Sequence, residues 1–319
     1  MPDGGIIETP LLLPSFSSRG FPDIKAIMKG LSEVIRGPAL VSAYDIKHGL
    51  ISSKFSFIYP LVFVDSGGYE CLNSSEIIGH DKSELKARFW SVPQYKKTIK
   101  MMLAENNSHK AVIGYDFYGS FKSQIKFTEA LFKEFEKTKK AFVKEILVKS
   151  ESKKKTFLNV DKIVSNIKSL NSFDIIGFTE KELGDSLLSR LQNLTKIRRA
   201  LDENNMKQPI HIFGSLDTIT TPLYFFCGAD IFDGLTWLRY GYLKGLTIYQ
   251  PNVWVDKFPI DRDDYYARLT TFINNYNYLQ DLGLQMKAFV KNNDFCVFDG
   301  KDDFVKNSEF FKTILAKVP

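Results

Sequence analysis

The sequence predicts a parallel α/β fold, with a (β/α)8 TIM barrel as the leading architecture and a doubly wound sheet as the alternative. Short runs of β-branched and aromatic residues alternate with amphipathic segments of helical spacing over about 250 residues. The chain has 319 residues, which is enough to bury one large core. No Gly-x-Gly-x-x-Gly turn follows the first predicted strand, and this disfavours the dinucleotide-binding version of the doubly wound sheet.

Seven short segments are the predicted strands, because buried parallel strands are rich in β-branched and aromatic residues. They cover residues 39–44, 57–64, 111–115, 142–148, 173–176, 210–213 and 230–232. Four other segments have apolar residues at helical spacing. The first predicted helical face consists of Ile24, Ile27, Met28, Leu31 and Ile35, and the second of Ile125, Leu131, Phe132 and Phe135. The third consists of Leu187, Leu188, Leu191, Leu194 and Ile197. The fourth lies within a long helix predicted over 263–284 and consists of Tyr265, Leu269, Phe272, Ile273 and Tyr276.

Composition predicts a globular cytoplasmic protein. Hydrophobic residues make up 44% and charged residues 25% of the chain, which argues against disorder, collagen-like repeats and coiled coils. No apolar run approaches the roughly 18 residues of a membrane span, and the N-terminus lacks the pattern of a signal peptide. Cys71, Cys227 and Cys296 are far apart and odd in number, so neither a disulfide framework nor a cysteine metal site is predicted.

The net charge of +6 is too small to indicate a nucleic-acid-binding protein by itself, but the basic residues are unevenly placed. Residues 133–155 contain nine lysines and four glutamates. One interpretation is a solvated helix face and loop, and the other is an edge that contacts phosphate groups. Lys149, Lys153, Lys154 and Lys155 follow the predicted strand 142–148 and are the candidate nucleic-acid contacts.

Three carboxylates stand where predicted strands end and loops begin. Asp65, Asp116 and Asp233 each follow an apolar run. Reactive groups of a barrel lie at such strand ends, and a half-shielded carboxylate costs desolvation free energy unless it is paired or has a task. Each one alone is also typical of a helix N-cap or a turn. All three together, with Gly67 and Gly68 allowing a ligand close to the backbone, favour a functional site.

Two aromatic residues follow or end predicted strands in the same way. Tyr69 comes directly after the glycine pair, and Phe213 ends the strand 210–213. Two aromatic faces with carboxylates between them suit a planar, hydrogen-bonding ligand such as a purine, although either ring alone is typical of a core residue. His211 lies within an apolar strand without a second ligand nearby, so a structural role is predicted for it.

Five short segments form an ordered set of motifs along the chain. They are Glu8-Thr9-Pro10, Asp65-Ser66-Gly67-Gly68-Tyr69, Ile176-Gly177-Phe178, His211-Ile212-Phe213-Gly214-Ser215 and Gly228-Ala229-Asp230-Ile231-Phe232-Asp233. In this order and at these spacings they resemble the tRNA-guanine transglycosylase family, the queuine and archaeosine tRNA-ribosyltransferases, including its DNA-modifying branch. The resemblance covers about residues 6–245.

That family is a (β/α)8 barrel that exchanges a guanine in nucleic acid for a 7-deazaguanine, and the resemblance implies a role for each matching residue. Asp233 corresponds to the nucleophile, Asp65 to the general acid/base, and Asp116 to the carboxylate that binds the purine N1–H and amino group. The implied base pocket also includes Ser66, Gly67 and Gly68, the backbone around Gly177 and Phe178, and the aromatic sandwich of Tyr69 and Phe213 with the adjoining Gly214. The resemblance implies no cofactor.

The chain departs from the family in two places. The family's structural zinc ligands, three clustered cysteines and a later histidine, have no counterpart after Asp233, so no metal site is predicted. The glutamine expected at the end of the strand 142–148 is also missing, and Lys149 is nearby. A lysine can donate to the purine O6 in place of that glutamine, but it also favours phosphate.

The resemblance therefore implies a glycosyltransferase of the guanine transglycosylase type that works through a covalent aspartyl–nucleoside intermediate. We expect one domain over 1–319, with 246–319 as a divergent C-terminal part. Its expected partners are nucleic acid and a 7-deazaguanine base, with a homodimer or a partner protein left open. DNA is favoured over tRNA, because the zinc ligands are missing and the chain leaves little room for an added RNA-binding domain. The alternatives are a tRNA enzyme and a non-catalytic nucleic-acid-binding partner subunit.

Overall fold

Eight parallel strands close into a barrel in the computed structural model, so the predicted (β/α)8 architecture is confirmed. The structure describes residues 6–52, 60–71, 87–105, 108–257, 259, 261–301, 303 and 306–318. Strand β1 pairs with both β2 and β8, which closes the sheet. The barrel strands are β1 (Leu11–Phe16), β2 (Ala39–Ser42), β3 (Leu61–Asp65), β4 (His109–Ile113), β5 (Val143–Val148), β6 (Ile175–Thr179), β7 (Ile210–Phe213) and β8 (Ile231–Gly234).

Strands β2 to β8 correspond to the seven predicted segments; β7 has the predicted bounds, and the other six have different ends. The predicted positions 57–59 lie outside the described residues. Strand β2 stops at Ser42, because a short helix begins at Ala43. Strand β1 was not predicted, since Pro10 and Pro14 interrupt its apolar run and a proline removes a backbone donor.

Helices follow the strands as a barrel requires. They are α1 (Ile24–Leu31), α2 (Ala43–Lys47), α3 (Val92–Ala104), α4 (Phe121–Glu136), α5 (Val160–Ser165), α6 (Leu187–Glu203), α7 (Thr220–Phe226), α8 (Thr236–Arg239), α9 (Gln250–Lys257), α10 (Asp264–Asn292) and α11 (Asn307–Leu315). The four predicted helices are confirmed as α1, α4, α6 and α10, but Ile35 lies beyond α1, and Leu188 and Tyr265 are exposed rather than buried. Among the described residues, no helix combines the length and the apolar character needed to cross a membrane.

The first of two compact units contains Ser15–Lys154 and Ser169–Ile176. It includes β2 to β5 and helices α1 to α4. Strand β2 is buried along its whole length and β3 up to its last residue, as expected for parallel strands covered on both faces. The register pairs Ser42 with Asp65, so the ends of these two strands lie side by side.

The second compact unit contains Glu8–Pro14, Lys155–Lys168 and Gly177–Pro319. It includes β7 and β8, the helices α5 to α11, and an antiparallel hairpin of β9 (Tyr240–Leu243) and β10 (Leu246–Tyr249) that was not predicted. Helix α10 packs against β9 and α9. The expectation of one domain with a divergent part at 246–319 stays a prediction.

Candidate active site

The loop after β3 fixes the side chains of Asp65 and Ser66. The Gly67 N–H donates to Asp65 Oδ2 at 3.1 Å, and the Gly68 N–H donates to Ser66 Oγ at 3.2 Å. Trp90 Nε1 donates to the Ser66 carbonyl at 2.9 Å. Each carboxylate or hydroxyl thus caps the backbone two residues further on, as in an Asx or Ser turn, and these local bonds hold the shape of the loop.

Both glycines of this loop are required by close packing. Gly67 has a φ of +88°, and a Cβ there would lie 2.5 Å from Tyr44 Cβ. A Cβ on Gly68 would lie 2.5 Å from Asp116 Cγ, far inside normal van der Waals contact. The backbone of Gly68 therefore lies directly against the Asp116 carboxylate, which only a residue without a side chain allows.

Asp116 is held between a hydroxyl and an ammonium group. Ser66 Oγ donates to Asp116 Oδ1, and Lys149 Nζ lies 3.9 Å from Asp116 Oδ2. The side chains of Lys149 and Asp116 are 8% and 21% exposed. Gln124 on α4 accepts from the Lys149 N–H at 2.9 Å and donates to its carbonyl at 2.8 Å, which fixes the backbone at Lys149. An acceptor carboxylate and a donor ammonium are thus adjacent and partly shielded from water.

The four candidate lysines differ in exposure. Lys149 is almost fully buried, which favours a role inside the site over a contact with a phosphate on a polymer surface. Lys153, Lys154 and Lys155 are exposed, and Lys153 Nζ lies 5.7 Å from the centre of the Tyr118 ring. The lysines that precede β5 lie at the other end of that strand, so the run 133–155 is not one continuous patch.

Two further carboxylates, Asp45 and Glu70, form what we call the buried acid pair. Glu70 accepts from Ser17 Oγ at 2.5 Å and from Ser42 Oγ at 2.9 Å. Asp45 accepts from the N–H and the hydroxyl of Ser18 at 2.7 and 2.5 Å. Burial raises the pKa of both carboxyl groups, and the charge of Asp45 raises the pKa of Glu70 further.

Sequence reasoning missed the buried acid pair. Its serine partners Ser17 and Ser18 directly follow β1, the one barrel strand that was not predicted. The neighbouring Arg19 donates from its guanidinium to the Glu70 carbonyl at 2.7 Å. The run Ser-Ser-Arg after an apolar segment was the available signal, since polar residues at a strand end mark the reactive edge of a barrel.

In the second unit, Asp233 is the centre of a separate cluster. Its side chain lies in β8 and is 9% exposed. Asp233 Oδ1 accepts from the Gly214 N–H at 3.2 Å and lies 3.4 Å from His211 Nε2. The fully buried His211 ring stacks on Phe213 with ring centres 4.0 Å apart. His211, predicted to be structural, therefore also contacts the candidate nucleophile, because it lies on the strand next to β8.

The remaining candidate residues differ in how they could contribute to a pocket. Gly177 and the fully buried Phe178 lie in β6, so Phe178 can contribute through its backbone but not through its ring. Tyr69 is half-buried. The three cysteines are free thiols, and the described part of the chain contains no cluster of three or more histidine, cysteine or acidic residues that is arranged to hold a metal ion.

No model of a known protein family matches the chain, and no curated protein matches it. The assignment to the transglycosylase family therefore stays a prediction that depends on the five motifs.

Proposed function

We propose that the protein is a base-exchange transglycosylase, which replaces a guanine in nucleic acid with a 7-deazaguanine. The observation that supports it most is the setting of Asp233, a buried carboxylate at a strand end with one oxygen bound by the Gly214 N–H and 3.4 Å from His211 Nε2. An oriented carboxylate in a site with little water is what nucleophilic attack on a sugar carbon requires.

The proposed reaction has two displacements. An oxygen of Asp233 forms a bond to C1′ while the bond from C1′ to the guanine nitrogen breaks, and the electron pair leaves with the base. Asp65 donates a proton to the departing guanine and becomes a carboxylate. It then accepts a proton from the incoming 7-deazaguanine, whose nitrogen bonds to C1′ and displaces the Asp233 oxygen. The proposal requires both aspartates to reach the same nucleoside.

Recognition of the base is assigned to the cluster around Asp116. Its carboxylate suits the adjacent N1–H and amino donors of guanine, and Ser66 Oγ holds that carboxylate in place. The Lys149 ammonium, 3.9 Å from Asp116, is the donor for the O6 acceptor on the same edge of the base. A donor beside an acceptor matches the order of groups on this edge of guanine.

A base-exchange assay tests the proposal. Protein, radiolabelled guanine and either duplex DNA or unmodified tRNA are incubated together, and the label in each polymer is measured. We expect incorporation into DNA; incorporation into tRNA alone would support the tRNA enzyme instead. Asp233→Asn should abolish incorporation at an unchanged melting temperature.

The matched control is Asp230→Asn, at the residue directly before the same strand. The Asp230 carboxylate accepts from the Ile210 N–H at 2.9 Å, and asparagine retains an acceptor there. This variant should retain exchange if it melts like the wild type. Full exchange by a folded Asp233→Asn protein would refute the assigned nucleophile. A wild type that binds guanine and nucleic acid but exchanges neither polymer's base would support the non-catalytic partner subunit.

A further inference from the structure

Two exposed tyrosines lie side by side on the hairpin that follows β8. Tyr240 and Tyr249 are directly opposite each other in the β9–β10 register and are 44% and 58% exposed. Directly opposite residues of antiparallel strands have Cβ atoms about 5 Å apart on one face of the sheet. The two side chains, here called the tyrosine pair, therefore project from the same face of the hairpin, and both are exposed.

The backbone under the tyrosine pair is held by buried amides. Asn275 of α10 is fully buried, and it donates to the Tyr240 carbonyl and accepts from the Tyr242 N–H, both at 2.7 Å. Gln250, the residue after Tyr249, donates to the same Tyr240 carbonyl at 3.3 Å. A surface that is already fixed loses little conformational entropy when a ligand stacks on it.

The face that carries the tyrosine pair is joined to the loop after β7. Tyr242 and Thr247 are opposite each other two positions along the strands, so they share that face. The Tyr242 hydroxyl donates to the Leu216 carbonyl, and the Thr218 N–H donates to Thr247 Oγ1 at 3.3 Å. This loop begins at Gly214, whose N–H binds the candidate nucleophile. The hairpin that carries the tyrosine pair is thus linked by hydrogen bonds to the loop that binds the proposed reacting group.

The residues of the hairpin itself carry a net positive charge, while the Asp303 carboxylate lies close to Gly245 at its turn. Residues 239–250 contain two basic residues, Arg239 and Lys244, and no acidic residue. Exposed aromatic rings beside basic side chains are the usual composition of surfaces that bind single-stranded nucleic acid, because bases stack on the rings while cations attract the phosphates.

We propose that the tyrosine pair is a stacking surface for a base of the nucleic-acid strand that adjoins the reacting nucleotide. This inference rests on the proposed function, since it assigns a second contact to the same polymer. Every base has an aromatic face, so the contact should be tolerant of sequence. Removing a stacked aromatic side chain typically weakens single-strand binding by about 5- to 150-fold.

The test measures the Kd of fluorescently labelled single-stranded DNA and RNA oligonucleotides of the same sequence, and separately the Kd of free guanine. The double variant Tyr240→Ala/Tyr249→Ala should bind oligonucleotides at least about 10-fold more weakly, with guanine binding unchanged. Tyr240→Phe/Tyr249→Phe retains both rings and should bind like the wild type. The matched control is Tyr265→Ala/Tyr266→Ala, which removes two tyrosines that are each 51% exposed at the start of α10.

Four results would overturn the inference. Unchanged oligonucleotide binding by the alanine variant would show that the tyrosine pair does not stack on nucleic acid. A change of oligomeric state with unchanged oligonucleotide binding would identify the pair as a contact between copies of the chain. An equal loss in the tyrosine-pair and control variants would show a general surface effect. A wild type that binds guanine but no oligonucleotide would instead refute the proposed function, and the inference with it.

Discussion

Replacing Glu70 by glutamine removes one ionisable group of the buried acid pair and so tests how the charge of Glu70 affects stability. Glu70 is 5% exposed, and its carboxylate accepts from the hydroxyls of Ser17 and Ser42. Glutamine has the same shape but cannot ionise. Its carbonyl oxygen still accepts from one serine, and its amide group donates to the other hydroxyl. The variant therefore changes the titration at this position while the packing stays the same.

The sign of the effect follows from the direction in which the pKa of Glu70 moves. Burial, with the charge of Asp45, raises the pKa of Glu70 to about 7. A raised pKa in the folded state means that the neutral acid stabilises the fold, fully below the ordinary pKa of about 4.3. This contribution is lost as the pH rises through the raised pKa. A tenfold change in an acid dissociation constant corresponds to about 1.36 kcal/mol, so we expect the wild type to lose about 2–3 kcal/mol of unfolding free energy relative to Glu70→Gln between pH 5 and pH 8.

Urea unfolding of both proteins at pH 5, 6, 7 and 8 measures this difference. The matched control is Glu134→Gln. Glu134 pairs with Lys100 at 2.6 Å and Lys96 at 2.5 Å, and hydrogen bonds from these lysines lower its pKa to about 2. Glu134 stays ionised from pH 6 to 8, so its variant should show a constant difference from the wild type there. If the difference in unfolding free energy between Glu70→Gln and the wild type is also independent of pH, the assignment of Glu70 as a buried group that binds a proton in this range is refuted.

Further predictions concern two glycines, the buried Asn275 that binds the backbone of β9, and the exposed lysines Lys153–Lys155. Gly68→Ala should weaken guanine binding at least about 10-fold in calorimetry, because its Cβ would lie 2.5 Å from Asp116 Cγ. The same crowding should lower the free energy of unfolding by about 1–3 kcal/mol. Gly283→Ala in α10, whose Cβ would meet one carbon at 3.7 Å, should instead stabilise the protein by about 0.5–1 kcal/mol. Asn275→Ala should lower the free energy of unfolding in urea by about 2–5 kcal/mol, since the Trp237 carbonyl and the Tyr242 N–H lose their Asn275 partner and the Tyr240 carbonyl keeps only Gln250. Replacing the exposed Lys153–Lys155 with alanine should weaken nucleic-acid binding and flatten its salt dependence, with free-guanine binding unchanged; an unchanged slope would identify a solvated loop.

The sequence was sufficient to predict the fold because periodicity is a local property. Strand β7 matches its predicted bounds of 210–213, and α4 buries the predicted residues Ile125, Leu131, Phe132 and Phe135. The failures have local causes too. Strand β1 was not predicted because Pro10 and Pro14 interrupt its apolar run. The exposed Leu188 has helical spacing but lies in the first turn of α6, outside the buried face of that helix.

The candidate site was predictable only as a set of strand ends. Asp65, Asp116 and Asp233 could be named because each follows an apolar run, but the partners of each depend on which strands are neighbours. His211 contacts Asp233 because β7 pairs with β8, and no spacing along the chain shows that. The burial of Lys149 beside Asp116 likewise depends on packing between β4 and β5.

The C-terminal part contains an aromatic cluster that packs around the helix in contact with the hairpin. Phe226 of α7 contacts four phenylalanines of the segments after it, Phe289, Phe295, Phe298 and Phe311, with ring centres 4.8 to 5.4 Å apart. A compact aromatic cluster supplies both burial and specific ring geometry, and so joins α7, α10 and α11 through apolar contact. Helix α10 also carries Asn275, which binds the backbone of β9. The aromatic cluster therefore holds in place the helix that contacts the strand of Tyr240. Hydrophobic packing in the segment after Asp233 therefore supports the surface to which we assign nucleic-acid binding.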